Sequence, residues 1–230
     1  MRNIVKSLVI AGTLMATGSA VAELNDISPY IGVDYYQPWM RGKGDWNLVF
    51  PKTYPGATLY VGTKFHEFFG LELGYDWGSR KTKNWVLPAG SPFMGNTLTT
   101  TLSGNTKIRR SGGHLDLVGF LPVAECLELT GSVGFGWVQP KITSSFSVTP
   151  GTTSNSSALA SVSGKGRGVF RVGVGASYMV TEMVGVRAKV GWEGTSTLRV
   201  NGNALFTSLG YDKKAFKGTT AMSVGAFVKF

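Results

Sequence analysis

The chain has 230 residues, with 32 glycines, 13 Phe, 8 Tyr and 6 Trp, only 16% charged residues and a net charge of +10. The single cysteine, Cys126, excludes an internal disulfide. Beyond the N-terminal segment no stretch approaches the about 20 apolar residues of a membrane-crossing helix, and mean hydropathy is close to zero, so apolar residues are spread thinly, as alternation in a closed sheet would spread them.

Arg2 and Lys6 open the chain with positive charge. Leu8 to Ala16 is a mostly apolar core of roughly nine residues, the size of a signal peptide's and too short to span a bilayer. Ala20 and Ala22 flank Val21 in a small-x-small cleavage pattern. The expected organisation is a cleaved leader at 1–22 and one domain at 23–230, with Glu23 the first mature residue. Cys126 lies far from that cleavage site, which argues against a lipoprotein. Loss of Arg2 and Lys6 takes the charge from +10 to +8. A secreted basic chain is not expected to meet nucleic acid; lipopolysaccharide phosphates and extracellular polyanions are the acidic partners left.

Eight amphipathic segments follow. In Tyr30 to Gln37, Ile31, Val33 and Tyr35 oppose Gly32 and Asp34. In Ala57 to His66, Leu59, Val61, Thr63 and Phe65 oppose Tyr60, Gly62, Lys64 and His66. The third alternates strictly: Phe69, Leu71, Leu73, Tyr75 and Trp77 against Gly70, Glu72, Gly74, Asp76 and Gly78. The fourth runs from about Lys107 to Leu121, the fifth from Leu127 to Val138, the sixth from Gly168 to Met179 and the seventh from Val184 to about Leu198; the eighth ends at Phe230. Period-two alternation of this kind marks strands with one apolar face.

The connections alternate in length. Glu67-Phe68, Pro122 to Cys126 and Val180 to Met183 are short; Pro38 to Gly56, Arg80 to Thr106, Pro140 to Arg167 and Arg199 to about Phe216 are long. Short turns belong on the periplasmic side of an outer-membrane barrel and long loops outside. Phe65, Phe69 and Phe230 lie near the turns, and Tyr75, Trp77, Trp137 and Trp192 near the loops, as two aromatic girdles would. Periodicity does not say which face is inward, but the interior of an eight-stranded barrel is too narrow for faces of Phe, Trp and Leu. The expected fold is therefore all-β: an eight-stranded antiparallel up-and-down transmembrane β-barrel, not a lipocalin-type soluble one.

The last strand ends on Gly225, Val228 and Phe230, a glycine, an apolar residue three on and a terminal Phe. With the leader, the paired strands and the short turns, this resembles the OmpA-type eight-stranded outer-membrane barrels, a group that includes the Opa-like surface proteins. The resemblance covers the mature chain and rests on pattern. It implies that Gly225, Val228 and Phe230 are read by the outer-membrane assembly machinery, and that the lumen holds a salt-bridge network. The peptidoglycan-binding domain of full-length OmpA is not expected, because the chain ends at Phe230.

The inward faces offer Asp34, Glu72, Asp76, Asp116, Glu128 and Glu193 together with Lys64, Arg171, Arg187, Lys189 and Lys229. They make either a polar conduit or a plug in which the charges satisfy one another, and the plug is favoured because an unpaired buried charge is costly. A lipid A-modifying enzyme would pair a serine with a histidine base. Only His66 and His114 are present; Asp116 shares a face with His114, and Ser111 lies three residues before it. No catalysis, cofactor or metal is expected. The rim is basic: Arg80, Lys81, Lys83, Lys107, Arg109, Arg110, Lys213, Lys214 and Lys217 are candidate polyanion-binding residues or a solvated rim that balances lipopolysaccharide. Thr143 to Ser163, uncharged and rich in Ser and Thr, is expected to be mobile. Gly164 to Gly168 lacks the strand-to-helix setting of a phosphate cradle, and Cys126 is expected to pack. The functional expectation is a structural, surface-exposed barrel with at most a narrow pore, with an adhesin-like binder as the alternative and a lipid A-modifying enzyme as the lesser one.

Overall fold

The computed structural model describes residues 27–42, 46–93, 96–149, 156–163, 167–194 and 216–230. The leader expected at 1–22, and Lys213 and Lys214, lie outside them. Strands β1 (Ser28–Gly42), β2 (Gly56–His66), β3 (Phe69–Gly78) and β4 (Lys81–Leu87) come first, with a short helix α1 (Trp46–Val49) after β1. Then follow β5 (Pro92–Phe93), β6 (Asn96–Thr97), β7 (Thr101–Ala124), β8 (Leu127–Thr149), β9 (Ser156–Ser163), β10 (Arg167–Met179), β11 (Val184–Glu193) and β12 (Phe216–Lys229).

Eight of them close a ring in the order β1, β2, β3, β7, β8, β10, β11, β12, each antiparallel to its neighbours. Closure comes from β12 on β1, in the register Ile31 to Val228, Asp34 to Gly225 and Gln37 to Met222. The Phe230 amide donates to the Pro29 carbonyl at 2.9 Å, which pins the last residue beside the first described strand. A ring has no free edge, so every strand in the bilayer finds its hydrogen bonds within the sheet. The fold is the eight-stranded antiparallel transmembrane barrel.

The two faces are inside out relative to a soluble protein. Phe135 and Val174 are 70% and 67% exposed, and Leu115, Leu129, Trp137 and Val190 share their outward face, while Asp34, Glu72, Asp76, His114 and Asp116 are buried. Apolar residues turned out and charges turned in suit lipid outside and a narrow polar interior. A lipocalin-type arrangement would have the reverse.

The outer end holds more strand than the alternation shows. β7 and β8 have 24 and 23 residues, about twice the 9–11 needed to cross a bilayer. β4 pairs with the extension of β7, from Lys81 to Ile108 through Leu87 to Leu102, and β9 pairs with that of β8, from Lys141 to Ser163 through Val148 to Ser156. A four-stranded sheet β4-β7-β8-β9 therefore continues beyond the barrel. This corrects the expectation that Thr143 to Ser163 is a mobile loop: Thr143–Thr149 and Ser156–Ser163 are paired strand, to which β-branched Thr and Val are suited. At this end Val49 and Phe50, in and just after α1, join Tyr54, Leu87, Ile108 and Ile142 in a buried apolar cluster.

Candidate functional site

Inward residues of neighbouring strands stand opposite one another in rows. One row runs Asp34, Gly225, Arg187 across β1, β12 and β11. Gly225 leaves the space through which Arg187 reaches its partner: a Cβ there would stand 2.1 Å from the Val33 carbonyl oxygen and 2.3 Å from Asp34 Oδ1. Arg187 Nε donates to Asp34 Oδ1 at 3.0 Å and Nη2 to Oδ2 at 2.8 Å. Arg187 Nη1 also pairs with Glu72, which accepts from Lys189 at 3.2 Å. The guanidinium carbon lies 3.2 Å from the centroid of the Tyr60 ring, a cation–π contact.

A second row runs Glu72, Asp116, Gly134, Arg171, Glu193 across β3, β7, β8, β10 and β11. Arg171 Nη1 lies 3.1 Å from Asp76 Oδ2 and 3.4 Å from Glu193 Oε1, and its Nε is 3.9 Å from Asp116 Oδ1. His114 stands between Gly74 and Gly136; its ring fills the room that Gly74 leaves, and Arg171 and Val169 pack at Gly136. Its Nδ1 is 3.6 Å from Asp76 Oδ2 and its Nε2 3.9 Å from Asp116 Oδ2. Toward the turns, Lys64 pairs with Glu128 at 2.5 Å and lies over the Phe120 ring; Lys229 lines the same cavity.

Arg110 departs from its expected place. It is buried in the lumen, paired with Glu193 and donating to the Tyr36 hydroxyl at 3.1 Å. Because β7 continues unbroken past Lys107, position 110 keeps the inward parity of 114 and 116. Among the described side chains, and with Arg110 included, the lumen's carboxylates Asp34, Glu72, Asp76, Asp116, Glu128 and Glu193 face an equal number of cations: Lys64, Arg110, Arg171, Arg187, Lys189 and Lys229.

This packing divides the interior. A cavity of ≈ 70 Å³ at the turn end is lined by Lys64, Phe120, Glu128, Phe227 and Lys229, and one of ≈ 50 Å³ in the middle by Asp34, His114, Asp116 and Arg171. Glu72, Arg187 and Lys189 line both, so the ion-paired layer stands between them. A third cavity, ≈ 30 Å³ beside Met40, Tyr54 and Arg110, meets the middle one at Glu193. Each has room for a few waters.

Among the described residues, the lumen's interactions are chiefly charge pairs. Ser111 has the outward parity of Leu115 and Leu117, whereas His114 points inward, so the two occupy opposite faces of β7. Glu72, His114 and Asp116 could each offer one metal-ligand atom, all within 4.8 Å of one another, but the Glu72 carboxylate is already held by Arg187 and Lys189. Cys126, expected to pack, is exposed in the tight turn between β7 and β8, where the side chain has no wall to meet.

On the outer sheet Arg80, Lys81, Lys107 and Arg109 are exposed, as is Lys141. Lys83 is turned inward, donating to the Asn47 carbonyl at 3.0 Å and the Phe50 carbonyl at 3.4 Å. Burial first, and then the charge of Lys52, hold its ammonium below the usual lysine range. Lys83 thus ties down α1 and the residue after it and is not a free rim charge. Lys217 falls in β12.

The model of the outer membrane protein beta-barrel domain matches residues 8–217. The chain belongs to this family. It is a protein of the bacterial outer membrane. A major outer membrane protein from Thermus thermophilus is similar in fold, with a TM-score of 0.50, 11% identity, and 90% of this chain and 100% of that chain covered. Ail, the attachment invasion locus protein of Yersinia pestis, solved in complex with the heparin analogue sucrose octasulfate, is similar at a TM-score of 0.47 and 14% identity, covering 89% of this chain and 99% of that one. OprG from Pseudomonas aeruginosa is similar at 0.46 and 10%, covering 89% and 96%. No curated protein matches the chain.

For a member of this family, two features of the site were open to sequence reading yet are not found by alternation alone. Lys141 follows Pro140, which reads as the end of a strand, although β8 runs on to Thr149. Each short turn carries one glutamate, Glu67, Glu125 or Glu182, and no lysine or arginine.

Proposed function

We propose that this outer-membrane barrel is a structural, surface-presenting protein whose lumen is plugged and passes at most a narrow leak. The observation that carries the reading is the layer in which Arg187 binds both Asp34 and Glu72, with Lys189 on the same Glu72, between the middle and inner cavities. Opening it would separate buried charges, and an ion left without its partner costs about 3–5 kcal/mol. Purified protein in planar bilayers is expected to give small, infrequent conductance at most. Large stable steps like those of a general porin would refute the plug.

The N-terminal 1–22 fits a cleaved leader, and Gly225, Val228 and Phe230 fit a signal for the assembly machinery; Phe230 is 68% exposed and free to be read. A second reading, an adhesin-like binder of polyanions or host molecules, is favoured by the exposed Arg80, Lys81, Lys107 and Arg109. The lipid A-modifying enzyme loses its candidate dyad, since Ser111 and His114 face opposite ways.

A further inference from the structure

We infer that the outward face of β7 and β8, just beyond the aromatic girdle, is a binding site for the phosphate groups of lipid A, formed by Arg109 and Lys141 with Lys107 and Arg80 beside them. The inference deepens the basic-rim reading and does not depend on whether the lumen conducts.

Arg109 and Lys141 are register partners across β7 and β8. Both are exposed, and both keep the outward parity of Trp137 and Leu115. Like charges directly opposite in an antiparallel pair destabilise it, because their Cβ atoms are only about 4.5–5.5 Å apart. Lys107 adds a third cation two residues on along β7, on the same face. Arg80 precedes Lys81, whose register partner is Ile108, which brings it beside Arg109. Among the described residues no carboxylate pairs with Arg80, Lys107, Arg109 or Lys141. An anion bridging the Arg109–Lys141 pair turns this repulsion into two charge-assisted hydrogen bonds.

Height on the barrel selects the anion. Trp77 is the partner of Ser111, and Arg109 lies two residues further out, about 7 Å along the strand. Lys141 lies four residues beyond Trp137, about 13 Å. Tryptophan girdles mark the membrane–water interface, so the cations stand at the depth of the outer leaflet's headgroups, on the face that touches lipid. The phosphorylated glucosamine headgroup of lipid A lies there and carries the matching charge. A soluble polysaccharide would reach the loops above more easily than this flank.

The test uses the protein purified from outer membranes, stripped of lipid by detergent exchange and reconstituted in micelles. Binding of bisphosphorylated lipid A is compared with that of the same lipid after phosphatase treatment. The variant is Arg109→Ser/Lys141→Ser; the control is Lys52→Ser/Lys81→Ser, with the same loss of charge, where Lys81 has the opposite parity on the outer sheet. The first is expected to lose affinity for bisphosphorylated lipid A by about tenfold or more, as loss of charge-assisted hydrogen bonds does, and the control to change little. Without lipid the variant should be as stable as the parent or more so, since a repulsion has gone. Should it fail to show a heat-modifiable folded band, Lys107→Ser/Lys141→Ser is read in its place. Equal losses in variant and control, or equal binding of the dephosphorylated lipid, would overturn the site. So would a sulfated polysaccharide that binds through Arg109 and Lys141 more tightly than lipid A. None of these outcomes touches the conductance result on which the plug rests.

Discussion

Arg187 shows how one residue organises this interior. It contacts carboxylates from two strands and an aromatic ring from a third: Asp34 on β1, Glu72 on β3 and Tyr60 on β2. It reaches Asp34 because the intervening position is glycine. Arg187→Met would leave two buried carboxylates short of a partner, at a cost of about 3–5 kcal/mol. The expected result is a lower urea midpoint for loss of the heat-modifiable band. Asp34→Asn added to Arg187→Met should restore much of it, because the amide needs no counter-charge and Glu72 keeps Lys189. If Arg187→Met alone were as stable as the parent, the layer would not be what holds the strands in place. The identities of these residues were legible from the alternation, but their pairing was not. Asp34 and Arg187 are 153 positions apart in the chain, and only the closing register of β12 brings them together.

Among the elements, β12 carries the closure. It pairs with β1 on one side and β11 on the other, and its Val228 stands opposite both Ile31 and Val184. Phe230 is held through its backbone bond to Pro29, and its exposed side chain adds little to the folded barrel. Phe230→Ala should therefore lower the yield of inserted protein in cells while leaving the unfolding midpoint of the refolded barrel almost unchanged. A large drop in that midpoint would make Phe230 a packing residue and not a signal. The membrane-crossing strands were legible because lipid on one side and lumen on the other force strict alternation. β4 and β9 were not, since outside the membrane the outward face meets water and need not be apolar, and Lys81-Thr82-Lys83 or Ser156-Ser157 then read as loop. Pro140 hid the continuation of β8 for a related reason. β10 pairs with β8 as far as Val138 and β9 begins to pair at Lys141, so the proline falls between two partners, where its missing N–H is not needed.

On the scale of the whole molecule, exposed charge is divided between the two ends. Of the 13 acidic residues only Asp45 and Asp212 fall in the outer connections, together with most of the 23 basic ones. The three short turns have Glu67, Glu125 and Glu182. Such a division suits an outer leaflet dense in phosphate, where basic groups are electrostatically favoured. It predicts the same orientation as loop length does, independently of it, and Cys126 can test that orientation without any substitution. That thiol is exposed beside Glu125. With the turns in the periplasm, an impermeant maleimide should leave Cys126 unlabelled on intact cells and label it once the outer membrane is permeabilised. A cysteine placed at Lys52, in a Cys126→Ser background, should behave in the opposite way and react on intact cells. Labelling of Cys126 but not of position 52 on intact cells would invert the barrel. It would put the Arg109–Lys141 face at the inner leaflet, away from lipid A, so this one experiment bears on both the topology and the proposed lipid site.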